Sequence, residues 1–585
     1  MLSATVALLL VVAGAGAAGE GSALAATPTA PATKPTQTES AAIERALSEA
    51  RVGRWVDRYP VTGLIENAEL DQATGTWTVR IWSGEEQIAL VRLTGEGDVR
   101  EAWTGPQVGW TMARGLNGAF GRTLNDPAVW LGFVALFLLG LLDLRRPLSM
   151  HNVDLLVLVS LTASLWFFNR GDIFTSVPLV YPPLGYFLGR MLWIGLRGRA
   201  PRPPRLLWPT WILIVAAVFA LGFRVGLNVQ TSNVIDVGYA GVIGAQRIVS
   251  EGRSPYGAFP VRDGAECGPP DADGLVRDRV QENGRCEASN EHGDTYGPVN
   301  YVAYVPAYLI FGWSGLWDDL PAAHATALIF DLAVIFGLAL VGWRFGRARL
   351  AAILVFAWVA FPFTQYVSST NANDALVPAL LVLGFWAAAS APARGALVGL
   401  ASWAKFAPLV VAPLWATFPM GLRRPGKVTL FAGGFAVATV FAFWVLLLES
   451  DPLGAAHTFW DRTFGWQLGR NSPFSIWDWG RYGYPDLGWL QTALKVGLAG
   501  GALALAAYPR TKSMLQLAAL TAALLIAFEV TLTHWFYLYV SWFLPFVVLA
   551  MFWPSRGGHR RSGSPAGPGA PPPDREAVEA ASAAD

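Results

Sequence analysis

Residues 206–257 read LLWPTWILIVAAVFALGFRVGLNVQTSNVIDVGYAGVIGAQRIVSEGRSPYG. Positions 206–226 are apolar almost throughout, and about 20 helical residues at about 1.5 Å rise suffice to cross a hydrocarbon core. The stretch predicts a membrane helix. Directly after it, Asn233–Gly257 sets a carboxylate, Asp236, at the mouth of that helix. A short helix-like run and a Ser254-Pro255-Tyr256-Gly257 turn follow. An acid held where membrane meets water is a candidate for chemistry.

The same pattern extends outward. Candidate spans are 127–144, 152–168, 173–195, 206–226, 322–343, 350–367, 374–391, 428–448, 489–508, 513–533 and 536–553. The expected fold class is a polytopic α-helical membrane protein of about 11–13 spans. Composition agrees, because 53% of the 585 residues are hydrophobic and only 15% charged, too apolar for an ordinary soluble protein. Several of the 26 Trp sit at the ends of apolar runs, as interfacial anchors do. A net charge of +1 with no long basic stretch argues against a nucleic-acid partner.

Basic residues orient the runs. Arg145/Arg146, Arg197/Arg199/Arg202/Arg205, Arg344/Arg347/Arg349, Arg423/Arg424/Lys427, Arg510/Lys512 and Arg556/Arg560/Arg561 mark cytoplasmic loops. Loops near Asn169, Thr370 and Thr533 hold almost none. The N-terminal domain and loops 227–320 and 449–488 are therefore expected outside, and a Pro/Ala-rich disordered tail, 554–585, inside. Run 299–316 is expected to lie along the outer membrane surface rather than to cross. Run 395–420 lies between basic loops of one side, so it should be a hairpin of two half-helices with Lys405 near its apex. Each half, about 13 residues, reaches only about 20 Å.

Ahead of these runs, 1–26 reads as a signal peptide or anchor and 27–39 as a Pro/Thr/Ala linker. Residues 40–120 read as a small extracytoplasmic α+β domain. An amphipathic helix at Glu39–Val56 precedes three strand-like runs, Thr76–Trp82, Gln87–Leu93 and Val99–Trp103. Its Trp77-x-Val79 strand, polar hairpin and Gly-Glu-Gly turn resemble the PepSY fold. Such a cap is expected to position an acceptor or a partner protein. Cys267 and Cys286 share one polar loop, and a disulfide is the better reading if that loop is extracytoplasmic. Two thiols alone make a poor metal site.

Among polar residues, Asp236 is a candidate general base, or simply the N-cap of the helix starting near Val237. Lys405 at membrane depth points to an anionic partner such as a phosphate, or snorkels to an interface. The loop 449–488 carries Trp460-Asp461-Arg462, Gly465-Trp466-Gln467 and Arg470-Asn471-Ser472-Pro473-Phe474. Aromatic faces with amides and charges suit carbohydrate, and Arg470 could pair with phosphate; anchoring at the interface is the plainer alternative. His534 could bond a phosphate or an acceptor, or be structural. Capping is the better account of Asp374. Asp331 and Glu529 lie in or near spans with unknown faces. Asp318-Asp319 before a Pro-started helix is ordinary capping, and no metal or cofactor is required.

Asp236-x-x-Tyr239, Ser254-Pro255-Tyr256-Gly257 and Tyr296-Gly297-Pro298-Val299-x-Tyr301 resemble the C-type superfold of integral-membrane glycosyltransferases. Asn371-x-Asn373-Asp374 and Gly399-Leu400-Ala401-x-x-x-Lys405-Phe406-x-Pro408 are similar to its actinobacterial polyprenol-phosphate-dependent mannosyltransferase group. The likeness covers 206–553 and not the additional membrane helices of 127–205. It implies inverting transfer of a hexose, mannose above all, from a polyprenyl-phosphate donor to a glycan or glycolipid acceptor of the cell envelope. It further implies Asp236 as base, Lys405, Arg470 and His534 as donor-phosphate partners, and Tyr239, Tyr256, Tyr296, Asn373, Trp466 and Asn471 as substrate contacts. A transporter or flippase of lipid-linked saccharides is the alternative.

Overall fold

The computed structural model describes residues 37–72, 74–115, 122–257, 279–280, 286–287, 296–314 and 320–554. The chain divides into two compact units, the first ending at Ala102.

In the first unit, helices α1 (Glu39–Ser48) and α2 (Ala50–Val56) precede a four-stranded antiparallel meander. Its strands are β1 (Leu64–Asp71), β2 (Thr76–Ser83), β3 (Glu86–Leu93) and β4 (Val99–Thr104). The expected single helix is broken at Glu49, whose extended backbone starts a new helix. The β2–β3 hairpin closes through Gly84, whose φ of +61° suits glycine. Trp77, Val79 and Ile81 alternate onto one face and are buried, as are Ala42, Ala46 and Val52 of the helices. Strand β1 was not anticipated. Its sequence, LIENAELD, lacks a strand pattern because it is an edge strand, largely exposed and held by backbone pairing from Leu64↔Ser83 to Asp71↔Thr76.

The second unit is helical. Its helices are α3 (Pro127–Leu141), α4 (Met150–Phe168), α5 (Tyr181–Arg197), α6 (Thr210–Thr231), α7 (Asp236–Gln246) and α8 (Pro298–Phe311). Next come α9 (Pro321–Ala360), α10 (Pro362–Ser369), α11 (Leu376–Trp386), α12 (Ala391–Ala404), α13 (Ala412–Ala416) and α14 (Pro425–Phe443). Then follow α15 (Pro452–Trp460), α16 (Gly488–Ala507), α17 (Met514–Val530) and α18 (Val540–Met551), besides four-residue helices at Pro106–Gly109, Arg122–Asn125, Ile173–Ser176 and Trp466–Gly469. Five helices are long and apolar enough to cross a membrane: Met150–Phe168, Thr210–Thr231, Pro321–Ala360, Pro425–Leu448 and Gly488–Ala507. The other apolar runs form shorter helices. Helix α9 covers one predicted run and most of the next, because it turns sharply at Gly346 and Arg347 (φ +56°) and sets Gly342 against Ala351. The second of those runs stops at Ala360 because Phe361-Pro362 begins a new helix.

The 395–420 run is broken as expected. Helix α12 stops at Lys405, whose extended backbone is its C-cap, and the chain resumes as a 3₁₀ turn and α13. The open ends of this hairpin are tied by Arg394, which donates to the carbonyls of Trp415 (3.2 Å) and Phe418 (2.8 Å). Helix α12 reaches α14 through Gly395 and Gly399, where a side chain would strike Phe431 O or crowd Ala438. The first part of the 299–316 run lies in α8, which ends at Phe311, buries Asn300, Tyr301 and Tyr304 and exposes Leu309 and Ile310.

Two sets of loops gather separately. The arginine-rich loops bond to one another: Arg146 to Pro203 O (2.6 Å), Arg349 to Trp208 O (2.6 Å) and Lys512 N to Pro419 O (2.8 Å). The arginine-poor loops do likewise: Asn233 N to Ser369 O (3.1 Å), Ser472 to His534 (2.9 Å) and Trp477 to Val530 O (2.9 Å). Between them, Arg224 of α6 and Asp331 of α9 form a buried ion pair of 2.7 Å, with Trp358 Nε1 donating to the same carboxylate oxygen. Asp331, whose facing could not be read from the sequence, is thus turned into the helix packing.

Candidate active site

The site is assembled where the arginine-poor loops meet. Asn371 is its clip. Its φ of +52° lies in the left-handed region that asparagine tolerates. Its side chain donates to Asn233 O (2.8 Å) and Ser232 Oγ (2.9 Å) and accepts from Asn228 Nδ2 (2.7 Å). With Ile235 N bonded to Thr370 O at 3.2 Å, these contacts fix the end of α6 and the start of α7.

Asp236 is the first residue of α7, and the cap position belongs to Ile235. The carboxylate caps nothing, is half-buried, and has no hydrogen bond or ion pair among the described residues. The helix N-terminus favours its charge. Its placement depends on three glycines of the GYAGVIG run: Gly238 lies against Asn371 O, Gly241 against the Tyr304 ring and Gly244 against the Tyr301 ring.

Lys405 is not free. Its Nζ lies 2.6 Å from Asp374 Oδ1, which also accepts from Trp542 Nε1 at 3.0 Å. The rings of Tyr296, Tyr539 and Trp542 surround the ammonium at 5.8, 5.5 and 5.4 Å. Asp374 therefore does not cap its helix, as the sequence suggested; it pairs across 31 residues, a relation no local pattern reveals. Asn373 donates to Asn300 Oδ1 at 2.6 Å.

Arg470 and His534 come to the same place. Ser472 holds His534 Nδ1 at 2.9 Å and is itself fixed by Asp478, which accepts from Ser472 N at 2.9 Å. Burial, then the positive charges of Arg470 and Lys405, hold the His534 imidazole well below its ordinary pKa, so it is neutral at neutral pH. It can offer a hydrogen bond, but no charge, to a phosphate. Asp478 is pushed upward by burial, against the opposing pull of Arg481 and the Ser472 N–H. Arg470 is half-buried and makes no ion pair among the described residues, and its Nε is buried without a partner.

The remaining candidates divide. Tyr296 faces Lys405. Tyr256 is buried, with its hydroxyl donating to Tyr296 O at 2.7 Å and its ring edge-on to Tyr301 and Phe459. Tyr239 is buried against Trp313. Both side chains are almost fully buried. Trp466 is half-buried on a four-residue helix, and Asn471 is exposed beside Arg470. Glu529 is buried and accepts from Trp535 Nε1 at 3.1 Å. Cys267 and Asp318-Asp319 lie outside the described residues, as does the 267–286 pairing; Cys286 begins a two-residue strand, Cys286–Glu287, paired with Arg279–Val280.

Tyr539 and Trp542 were not anticipated. They stack at 4.3 Å, and Tyr539 stands within electrostatic reach of Arg470, Asp374, Asp236 and Glu529. The signal was present as the aromatic run 535–542, which carries polar tips into an apolar span. The chain matches no family model, and no curated protein matches it.

Proposed function

We propose that this chain is an integral-membrane glycosyltransferase that moves a hexose, mannose in the first instance, from polyprenyl phosphate to a cell-envelope acceptor. The observation that carries the reading is Asp236: an accessible, unpartnered carboxylate at a helix N-terminus, sharing the neighbourhood of Tyr539 with Arg470 and Asp374.

In this reading the acceptor hydroxyl gives its proton to Asp236 as its oxygen attacks the anomeric carbon. The bond from that carbon to the phosphate oxygen breaks on the opposite face, polyprenyl phosphate leaves, and the anomeric centre inverts. One carboxylate is enough, because phosphate leaves without the acid that glycoside hydrolysis needs. Arg470, which makes no ion pair among the described residues, takes the leaving phosphate, since Asp374 already neutralises Lys405. His534 and the Tyr539 hydroxyl add neutral donors.

The basic end of the bundle is cytoplasmic by the positive-inside rule, which puts Asp236, Arg470 and His534 outside. Nucleotide sugars are confined to the cytoplasm, so an outward site calls for a lipid-linked donor. The helix break at Lys405 is the feature that favours transport of a lipid-linked saccharide instead.

The test is transfer of radiolabelled mannose from polyprenyl phosphate by the purified full chain, with Asp236→Asn alongside. Loss of about 10²–10⁴-fold in the variant is expected for a missing general base. Equal rates in the two proteins would remove Asp236 from the mechanism. Movement of lipid-linked sugar across vesicles without any transfer would favour the transport reading.

A further inference from the structure

Four polar atoms in one small region are buried without a hydrogen-bond partner: Asn300 Nδ2, Tyr304 OH, Asn373 Oδ1 and Asp374 Oδ2. Their residues are 0%, 0%, 2% and 0% exposed. Asn300 and Tyr304 are four apart on α8 and share a face. Asn373 bonds Asn300 across the gap, and the charge of Asp374 reaches Tyr304. Tyr304 is held with its ring against Gly241 and edge-on to Phe330.

Buried polar groups are almost always satisfied, and orphans grouped in one place point to a ligand the free chain lacks. The chemistry of the group is limited. A cation would meet two donors and the nearby ammonium of Lys405; an anion would meet the Asp374 carboxylate. A hydroxyl has one proton to give and two lone pairs to accept with, so it can take the Asn300 amide and the Tyr304 phenol as donors and give its own proton to Asn373 Oδ1 or Asp374 Oδ2. Turning both amides round leaves one free donor and one free acceptor, so the match does not depend on their assignment.

We infer that Asn300, Tyr304 and Asn373, with the second oxygen of Asp374, form a recognition pocket for one hydroxyl of the transferred sugar. This rests on the glycosyltransferase reading above and deepens it by naming residues that select the sugar. Lys405, the more exposed partner of Asp374, stands at the entry and couples sugar recognition to the phosphate side of the site.

The test compares polyprenyl-phosphate mannose with its 2-, 3-, 4- and 6-deoxy analogues as donors for the purified full chain. The wild-type protein should lose about 10- to 100-fold in kcat/KM with one analogue, as expected for a site that bonds a hydroxyl. Tyr304→Phe removes an O–H that bonds nothing in the free protein, so its melting temperature should be unchanged. Tyr304→Phe and Asn300→Leu should both lower kcat/KM for the intact sugar while transferring the discriminated analogue at the wild-type rate. Identical discrimination in wild type and Tyr304→Phe would overturn the pocket and assign its orphan atoms to internal water. No transfer from any of these donors by the wild-type protein would instead overturn the glycosyltransferase reading, and the pocket with it.

Discussion

Lys405 Nζ and Asp374 Oδ1 stand 2.6 Å apart, inside a ring of Tyr296, Tyr539 and Trp542. A lysine in an apolar run looks like a phosphate binder by itself. Here its charge is already answered by a carboxylate, whereas Arg470 makes no ion pair among the described residues.

That distribution predicts a contrast between two variants. Arg470→Ala should raise the donor KM by about 10- to 100-fold, the scale of a lost charge-assisted hydrogen bond, with little change in thermal stability. Lys405→Met should lower thermal stability more, because it strands Asp374 in the interior. Donor titrations and melting curves on both proteins decide it; equal KM increases would return the phosphate to Lys405.

The Arg224–Asp331 pair ties α6 to α9 inside the helix packing. Arg224→Ala leaves a buried carboxylate unpaired and should cost about 3–5 kcal/mol of stability. Arg224→Met combined with Asp331→Leu removes both charges and should recover most of that loss. Thermal unfolding in detergent measures it, and additive losses in the double variant would refute the coupling.

His534 gives the fold a pH dependence of known sign. Its folded pKa lies below the unfolded value of about 6.5, so between the two values the unfolded chain holds the extra proton. The stability tied to neutral His534 is complete above about pH 6.5 and declines as pH falls toward the folded value. The melting temperature should therefore drop further between about pH 7.5 and about pH 5 in the wild type than in His534→Gln. Parallel curves would show that the imidazole does not titrate as its surroundings require.

The glycine face of α7 allows a steric comparison. A methyl at Gly244 would sit 2.0 Å from Tyr301 Cδ1, whereas one at Gly222 of α6 meets nothing within 4 Å. Gly244→Ala should destabilise by about 1–3 kcal/mol through overpacking and shift Asp236, lowering transfer. Gly222→Ala should be neutral or mildly stabilising. Equal melting temperatures for the two would contradict the close approach of α7 and α8.

Much of this architecture is legible one residue at a time. Hydropathy marks the apolar helices, five of them long and apolar enough to cross a membrane, where a helix satisfies its own backbone. Arginine placement separates the loops into the two groups that bond among themselves, and the lysine at 405 marks the helix break. Strand β1 escaped because an exposed edge strand needs no apolar alternation. The division of 350–367 escaped because hydropathy continues through Phe361-Pro362 while the backbone cannot.

The sequence by itself determined that Asp236 begins a helix after an apolar run, and that Lys405, Arg470 and His534 occupy polar breaks between others. Which of these charges is answered, and by what, was decided only in three dimensions. Asp374 meets Lys405, Asn300 meets Asn373, and Ser472 meets His534 through contacts between segments distant in the chain. The reason is physical: hydropathy and helix breaks are local properties of a segment, whereas charge neutralisation and hydrogen-bond satisfaction belong to pairs that packing alone brings together.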